Sequence, residues 1–367
     1  MQSILSKLIG RRTPSPNLAS LPPVYWLGAP GPCGGAGTEM WDTMRIWRRF
    51  GLTLHVIPTW GCEWQLRNPL EEIGCHVHDL PGADCLLDVP GIRDGIVFGM
   101  CNDQFLAVAP AVRAAGCKTV WSPCMCWCFD AEREHYRSWG PFDGYHFQSE
   151  YQRQTISPAL KRYGWRQRLG RVIHGAFCAD SWTFAPRPHA RGNEFFVGRL
   201  SRDDADKHSS REWELYGAIL YPRRRARILG YGDNVRKKLG DPPAWAEVMP
   251  PCAEGSQAFL SSLHCLFSIN GGARENWPRV GLEAMAAGVP VIAENQWGWR
   301  EMIVSGWDGL LYDSPEEGAY HASRLAWDEG ERMRLVKGAR ARAVELGDQA
   351  ACAAAWRGLF EEAMRGD

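Results

Sequence analysis

Two glutamates, Glu275 and Glu283, stand with seven residues between them in the run Glu275-Asn276-Trp277-Pro278-Arg279-Val280-Gly281-Leu282-Glu283-Ala284-Met285-Ala286-Ala287-Gly288-Val289-Pro290-Val291-Ile292. The run follows an apolar strand, opens a helix near Pro278, closes it at Gly288 and enters another strand. Proline suits a first helical turn, and glycine the position just past the last. Glu275 is therefore placed in the approach loop, and Glu283 about one and a half turns into the helix. Unpaired backbone N–H groups at such a helix start form a cradle for phosphate. A solvated pair of helical glutamates without function is the plainer alternative.

These groups need a scaffold, and the chain repeats one. Short apolar strands alternate with helical stretches, the pattern of parallel sheets covered by helices. In the first half the strands read as 24–28, 52–57, 95–98, 118–121, 144–147 and 171–175. A helix over Thr38 to Phe50, N-capped by Thr38 and closed by Gly51, follows the loop Pro30-Gly31-Pro32-Cys33-Gly34-Gly35-Ala36-Gly37. A second runs from Phe105 to Ala115 and closes at Gly116. In the second half the strands read as 195–198, 227–230, 265–269 and 290–293. The Pro- and Gly-punctuated stretch from Ala185 to Asn193 links the halves. The expectation is an α/β chain of two domains, residues 1–184 and 194–347, with ligand bound in the cleft between them.

The segment from Glu275 to Ile292 resembles the E-x7-E motif of the family 4 retaining glycosyltransferases. That family has the GT-B fold, two Rossmann-like domains whose parallel sheets face an interdomain cleft. The resemblance implies a C-terminal helix, here about 348–367, that crosses back onto the first domain. Companion segments extend the likeness from about Tyr25 to Leu311. Phe196-Val197-Gly198-Arg199-Leu200, with Lys207 eight residues beyond Arg199, is similar to the arginine and lysine that bind the donor diphosphate. The gap is longer than usual and holds Arg202 as a substitute. Ile228-Leu229-Gly230-Tyr231-Gly232-Asp233 resembles the glycine turn beside the nucleotide base, and 296–303 with 306–311 the family's closing segment. Val172 to Phe177 and Trp182 to Pro186 resemble the exit from the first domain. Gly34-Gly35-Ala36-Gly37-Thr38-Glu39 resembles the glycine loop that faces the donor phosphates.

The resemblance implies transfer of a hexose or pentose from a nucleoside diphosphate sugar to an acceptor hydroxyl, with anomeric configuration retained. The nucleotide sugar is a co-substrate, and neither a cofactor nor a metal is expected. Glu275 would hold sugar hydroxyls and so position the anomeric carbon, while Glu283 would accept hydrogen bonds from the ribose. Arg199 and Lys207 would stabilise the diphosphate, which gains charge as the sugar bond breaks. Gly34, Gly35, Gly230, Asn276, Trp277, Arg279 and Val280 complete the donor-side set. Many members carry a histidine after the strand matching Lys118 to Trp121. Here the chain reads Trp121-Ser122-Pro123-Cys124-Met125-Cys126-Trp127-Cys128, so Ser122, with His174, is the acceptor-side expectation.

The acceptor stays open among glycan, lipid, small molecule and modified DNA. The DNA reading rests on basic aromatic stretches at 45–49, 161–168 and 223–227, which either track a nucleic-acid backbone and stack bases or are solvated faces. A GT-B module that binds nucleotide or a partner without catalysis is the non-enzymatic alternative. Its mark would be loss of a motif glutamate or of the phosphate cations, and both glutamates and Arg199 are present.

Composition sets the outer bounds. At 367 residues the chain is long for one core. Lys+Arg and Asp+Glu both total 42, so no global charge steers it toward nucleic acid or anionic lipid. No apolar run approaches the roughly 20 residues that span a bilayer. Met1 to Gly10 could form one amphipathic turn, which leaves peripheral membrane contact as a minor expectation. Thirteen cysteines in a chain this size read as reduced thiols and a cytoplasmic location. Cys124, Cys126 and Cys128 alternate, which on a strand would put all three on one face; buried thiols fit that spacing better than a zinc site.

Overall fold

The computed structural model describes residues 16–31, 34–60 and 67–366. The expected amphipathic turn at Met1 to Gly10, and Pro32 and Cys33 of the glycine loop, lie outside the described residues.

The first sheet contains β1 (Val24–Leu27), β2 (Leu54–Ile57), β3 (His76–Val77), β4 (Ile96–Met100), β5 (Lys118–Ser122), β6 (Gly144–Phe147) and β7 (Gly170–Val172), in the order β3-β2-β1-β4-β5-β6-β7. The second contains β8 (Phe195–Leu200), β9 (Arg224–Leu229), β10 (Ala246–Met249), β11 (Cys265–Phe267), β12 (Val291–Glu294) and β13 (Leu310–Tyr312), in the order β10-β9-β8-β11-β12-β13. Every pairing is parallel. Parallel strands must be covered on both faces, and β1, β4 and β6 are accordingly buried at every position.

The covering helices of the first sheet are α1 (Gly35–Arg49), α2 (Arg67–Glu72), α3 (Asp103–Ala114), α4 (Asp130–Trp139) and α5 (Glu150–Lys161). Around the second lie α6 (Glu212–Gly217), α7 (Asp233–Leu239), α8 (Ser256–Ser261), α9 (Arg279–Ala287), α10 (Trp299–Met302), α11 (Pro315–Trp327) and α12 (Glu329–Leu346). The last helix, α13 (Gln349–Arg365), returns to the first sheet. Its Trp356 and Phe360 meet Trp47 edge-on, with ring centroids 4.8 and 5.1 Å apart, in one core with Trp26 and Phe98. Arg171 on β7 adds a hydrogen bond to Glu362 at 2.9 Å. No described helix is long and apolar enough to cross a membrane.

Three local expectations are corrected. Helix α1 starts at Gly35 rather than at Thr38, because Gly34 takes the N-cap position at φ 95°, a left-handed conformation glycine adopts freely. Thr38 instead donates its hydroxyl back to Gly34 O at 3.1 Å. The cysteine triplet is not on a strand. Strand β5 ends at Ser122 because Pro123 has no N–H to continue the ladder, and Cys124, Cys126 and Cys128 follow in a loop. Finally, β3, β10 and β13 are short edge strands that the apolar pattern does not announce.

Candidate active site

Helix α9 has the expected brackets, with Pro278 at its N-cap and Gly288 at its C-cap with φ 92°. The loop leading into it is clamped to the segment after β8, since Gly271 and Ala273 donate backbone N–H groups to Asp206 O at 3.1 and 3.0 Å. That segment forms a single tight turn over Ala205–Lys207, started by Asp204, whose carboxylate accepts from Asp206 N at 3.1 Å. The long arginine–lysine gap is thereby folded away. Lys207 lands on Glu275, Nζ to Oε1 at 2.7 Å, with both side chains largely covered.

Arg199 lies beneath the same loop. Its Nη1 donates to Ile269 O at 2.9 Å and to Ser268 Oγ at 3.3 Å. Its charge opposes the effect of burial on Glu294, whose carboxyl is pushed up. Gly230 sits where the turn after β9 passes the chain leaving β8; a Cβ there would lie 1.9 Å from Ser201 O, so only glycine fits. Glu283 is buried on α9, and burial raises its carboxyl pKa against the opposing charge of Arg279 one turn earlier.

Other residues expected on the donor side reach across the cleft instead. Arg279 Nη2 donates to Asp42 on α1 at 2.6 Å, and Nη1 to Ala176 O. Asn276 receives a hydrogen bond from Ser149 Oγ at 2.6 Å and donates to Gln148. Trp277 stacks on His174, with centroids 4.1 Å apart and planes 10° from parallel. Glu301 on α10 accepts the backbone N–H groups of Glu150 and Tyr151 at 2.8 and 2.6 Å, holding the start of α5. Gly34 and Gly35 face two arginines of the second half: a Cβ on either would stand 3.8 Å from Arg202 or Arg279. Val280 is half-buried and packs into the second domain's core.

Three carboxylates to which the sequence assigned no role belong to this setting. Glu39, in the early part of α1, is buried and accepts from Gln148, while its Oε1 has no partner among the described residues. Burial pushes its carboxyl up, and Arg279 pulls it down. Asp42 shows the same pair of influences. Arg279 thus serves three carboxylates, the buried Glu39 and Glu283 and the half-buried Asp42. Glu294, at the end of β12, is the third missed acid; its place at a strand's carboxyl end was the only sequence signal.

The acceptor-side expectations fare differently. Ser122 is buried in the sheet and bonded to His146 Nδ1 at 2.8 Å, and His146 Nε2 meets Ile173 O at 2.8 Å. A hydroxyl held this way faces the core, not the cleft. His174 shares its ring face with Trp277. The first two basic stretches also lose their tryptophans as stacking rings, because Trp47 and Trp165 are core residues. On β9, Arg225 and Arg227 pair with Glu194 and Glu247 at 2.9 and 2.8 Å. Cys126 and Cys128 are buried, with thiols pushed up to about 12. Among the described residues no group of three His, Cys, Asp or Glu side chains is arranged to hold a metal ion.

Comparison with known proteins agrees with this geometry. Residues 257–342, which contain both motif glutamates, match the family model described as glycosyl transferases group 1. No curated protein sequence matches the chain. The fold is similar to that of Anabaena Alr3699/HepE, solved with UDP and glucose, at TM-score 0.70 and 18% identity over 90% of this chain and 97% of that one. A glycosyltransferase from Rickettsia africae superposes at TM-score 0.71 and 13% identity, covering 95% of this chain and 100% of its own. Sucrose-phosphate synthase from Thermosynechococcus elongatus does so at 0.67 and 14%, covering 94% and 99%. At these identities the likeness concerns the fold. The matched segment is similar to the group 1 glycosyltransferases, and the architecture, two domains each built on a parallel sheet, is the GT-B fold.

Proposed function

We propose that the chain is a retaining glycosyltransferase that moves a hexose or pentose from a nucleoside diphosphate sugar to an acceptor hydroxyl. The observation that carries this reading is the unequal pair of motif carboxylates: Glu275 ion-paired with Lys207 at the loop, and Glu283 buried on the helix the loop feeds. The solved relatives that hold UDP with glucose, or UDP-glucose, support a donor of that class.

In this reading the diphosphate lies at the start of α9, where backbone N–H groups point outward. Lys207 exchanges the Glu275 carboxylate for phosphate oxygens, which frees Glu275 to hold the sugar hydroxyls and set the anomeric carbon. Arg199 adds positive potential from beneath the loop. Glu283 accepts hydrogen bonds from the ribose. The anomeric carbon–phosphate oxygen bond breaks, the bond to the acceptor oxygen forms on the same face, and the acceptor proton ends on the departing diphosphate. No protein base is then required, and the fixed cations do the work a divalent ion would otherwise do.

Glu275→Ala should lower turnover by roughly two to three orders of magnitude, the loss typical of a group aimed at the transition state. Affinity for UDP, read by calorimetry, should hardly change. Donor consumption at the wild-type rate in that variant would overturn the assignment.

A further inference from the structure

A groove of about 480 Å³ opens at the carboxyl ends of β4 and β5, between the starts of α3 and α4. Leu106, Met125, Trp127 and Phe129 give it apolar walls, and Asp103 and Asp130 stand at its rim. Trp127 and Phe129 are both 42% exposed, two large rings left open to solvent side by side. Their centroids are 6.1 Å apart at 66°, so they form the two sides of an open corner.

One wall of this groove is also a wall of the cleft. The loop from Pro123 to Cys128 is pinned by Gln152, which donates to Met125 O at 2.9 Å and to Pro123 O. Gln152 is the neighbour of the residues that contact Asn276 and Glu301. Cys126 in that loop is close enough to feel the charges of Arg274 and Glu275, and Cys124 that of Glu39.

The charge of the groove separates acceptor classes. No Lys or Arg is among the described residues that line it. The nearest cation along α4, Arg133, is tied to Asp130 at 2.8 Å. Side chains also cover N–H groups beside both helix starts. Asn102 already accepts from Gln104 N and Phe105 N at 2.9 and 3.3 Å, and Glu132 takes Phe129 N at 2.7 Å. A phosphorylated lipid or a nucleic acid would meet three acids, Asp103, Asp130 and Glu132, and no Lys or Arg in that lining. An uncharged sugar meets an aromatic face for its C–H surface and carboxylates that accept its hydroxyls.

We propose that this groove binds the acceptor, and that the acceptor presents there an uncharged glycan whose sugar face stacks on Trp127. The proposal rests on the glycosyltransferase reading above and narrows it. It is tested on the full chain by saturation-transfer NMR with cellobiose, maltose and diacetylchitobiose, against undecaprenyl phosphate and a single-stranded DNA oligonucleotide. Transfer assays use the nucleotide sugar that the chain consumes. The neutral disaccharides should show saturation transfer that Trp127→Ala abolishes. In transfer, Trp127→Ala should raise the acceptor KM about tenfold, the worth of one aromatic contact, with kcat and UDP affinity unchanged. Trp127→Phe should recover most of the loss. Disaccharide signals that persist in Trp127→Ala, no disaccharide signal in the wild type, or preferential use of the phosphorylated lipid or DNA would each overturn the proposal. Because saturation transfer needs no donor, failure of the chain to bind UDP would instead count against the broader function and leave the groove result standing.

Discussion

Both sheets are parallel, yet the loops at their carboxyl ends present different chemistry to the cleft. In the second domain the side chains there are charged: Lys207 against Glu275, with Arg199 buried just below. In the first domain the polar groups turn inward. Ser122 bonds to His146, and Glu132 accepts from Trp121 Nε1 at 2.7 Å and from Phe129 N. What that domain shows outward are rings, Trp127 and Phe129, rimmed by Asp103 and Asp130 rather than by cations. A diphosphate needs fixed charge, whereas a ligand recognised by shape and stacking does not. The same architecture has been given two surfaces suited to two kinds of reactant.

The comparison breaks most visibly at the residue that joins the two surfaces. Arg279→Ala leaves Glu39, Asp42 and Glu283 without their shared cation. Denaturant unfolding should show a loss of about 3–5 kcal/mol, the cost of stranding one side of a buried ion pair. If Asp42→Ala removes most of the Arg279 effect in a double-mutant cycle, the pair is the main carrier; independent losses would refute the shared role.

A middle-sized effect sharpens the inward turn of the first domain. Ser122→Ala leaves the His146 ring nitrogen without its partner in the core and should destabilise the fold by roughly 2 kcal/mol. Transfer activity per folded molecule should stay at the wild-type level. A specific fall in kcat would return Ser122 to the reaction.

The smallest effect belongs to Glu283. Burial raises its carboxyl pKa, so on acidification it protonates at a higher pH than an ordinary glutamate. The carboxylate, not the acid, accepts two hydroxyl hydrogen bonds. UDP affinity should therefore weaken about tenfold, near 1.4 kcal/mol, as pH falls through that raised value. Glu283→Gln should bind weakly and lose the pH dependence. A wild-type affinity that is flat over the mildly acidic range would remove Glu283 from the nucleotide site.

The parts of the molecule legible in the sequence are those that a short stretch of chain decides alone. Pro278 and Gly288 bracket α9 by their own backbone preferences, and the strand–helix alternation follows from local apolar periods. The remainder depends on partners far away in the chain. Nothing near Arg279 announces Asp42, and nothing near Asn276 announces Gln148 and Ser149, so residues expected at the donor became struts between domains. Ser122 looked accessible because the histidine that captures it lies on β6. The relation of Lys207 to Glu275 was obscured by a longer gap, which one tight turn removes. The cysteine triplet was misplaced by overlooking what Pro123 does to a ladder.

Helix α13 has a consequence for how the chain is made. The first hydrophobic core to emerge from the ribosome includes Trp26, Trp47 and Phe98, and it is closed by Trp356 and Phe360, which emerge after the whole second domain. Vectorial folding, with the leading domain finished before the trailing one begins, is therefore unavailable to this chain. Its leading half must wait with an apolar flank uncovered, and that interval is when a holdase chaperone would find it.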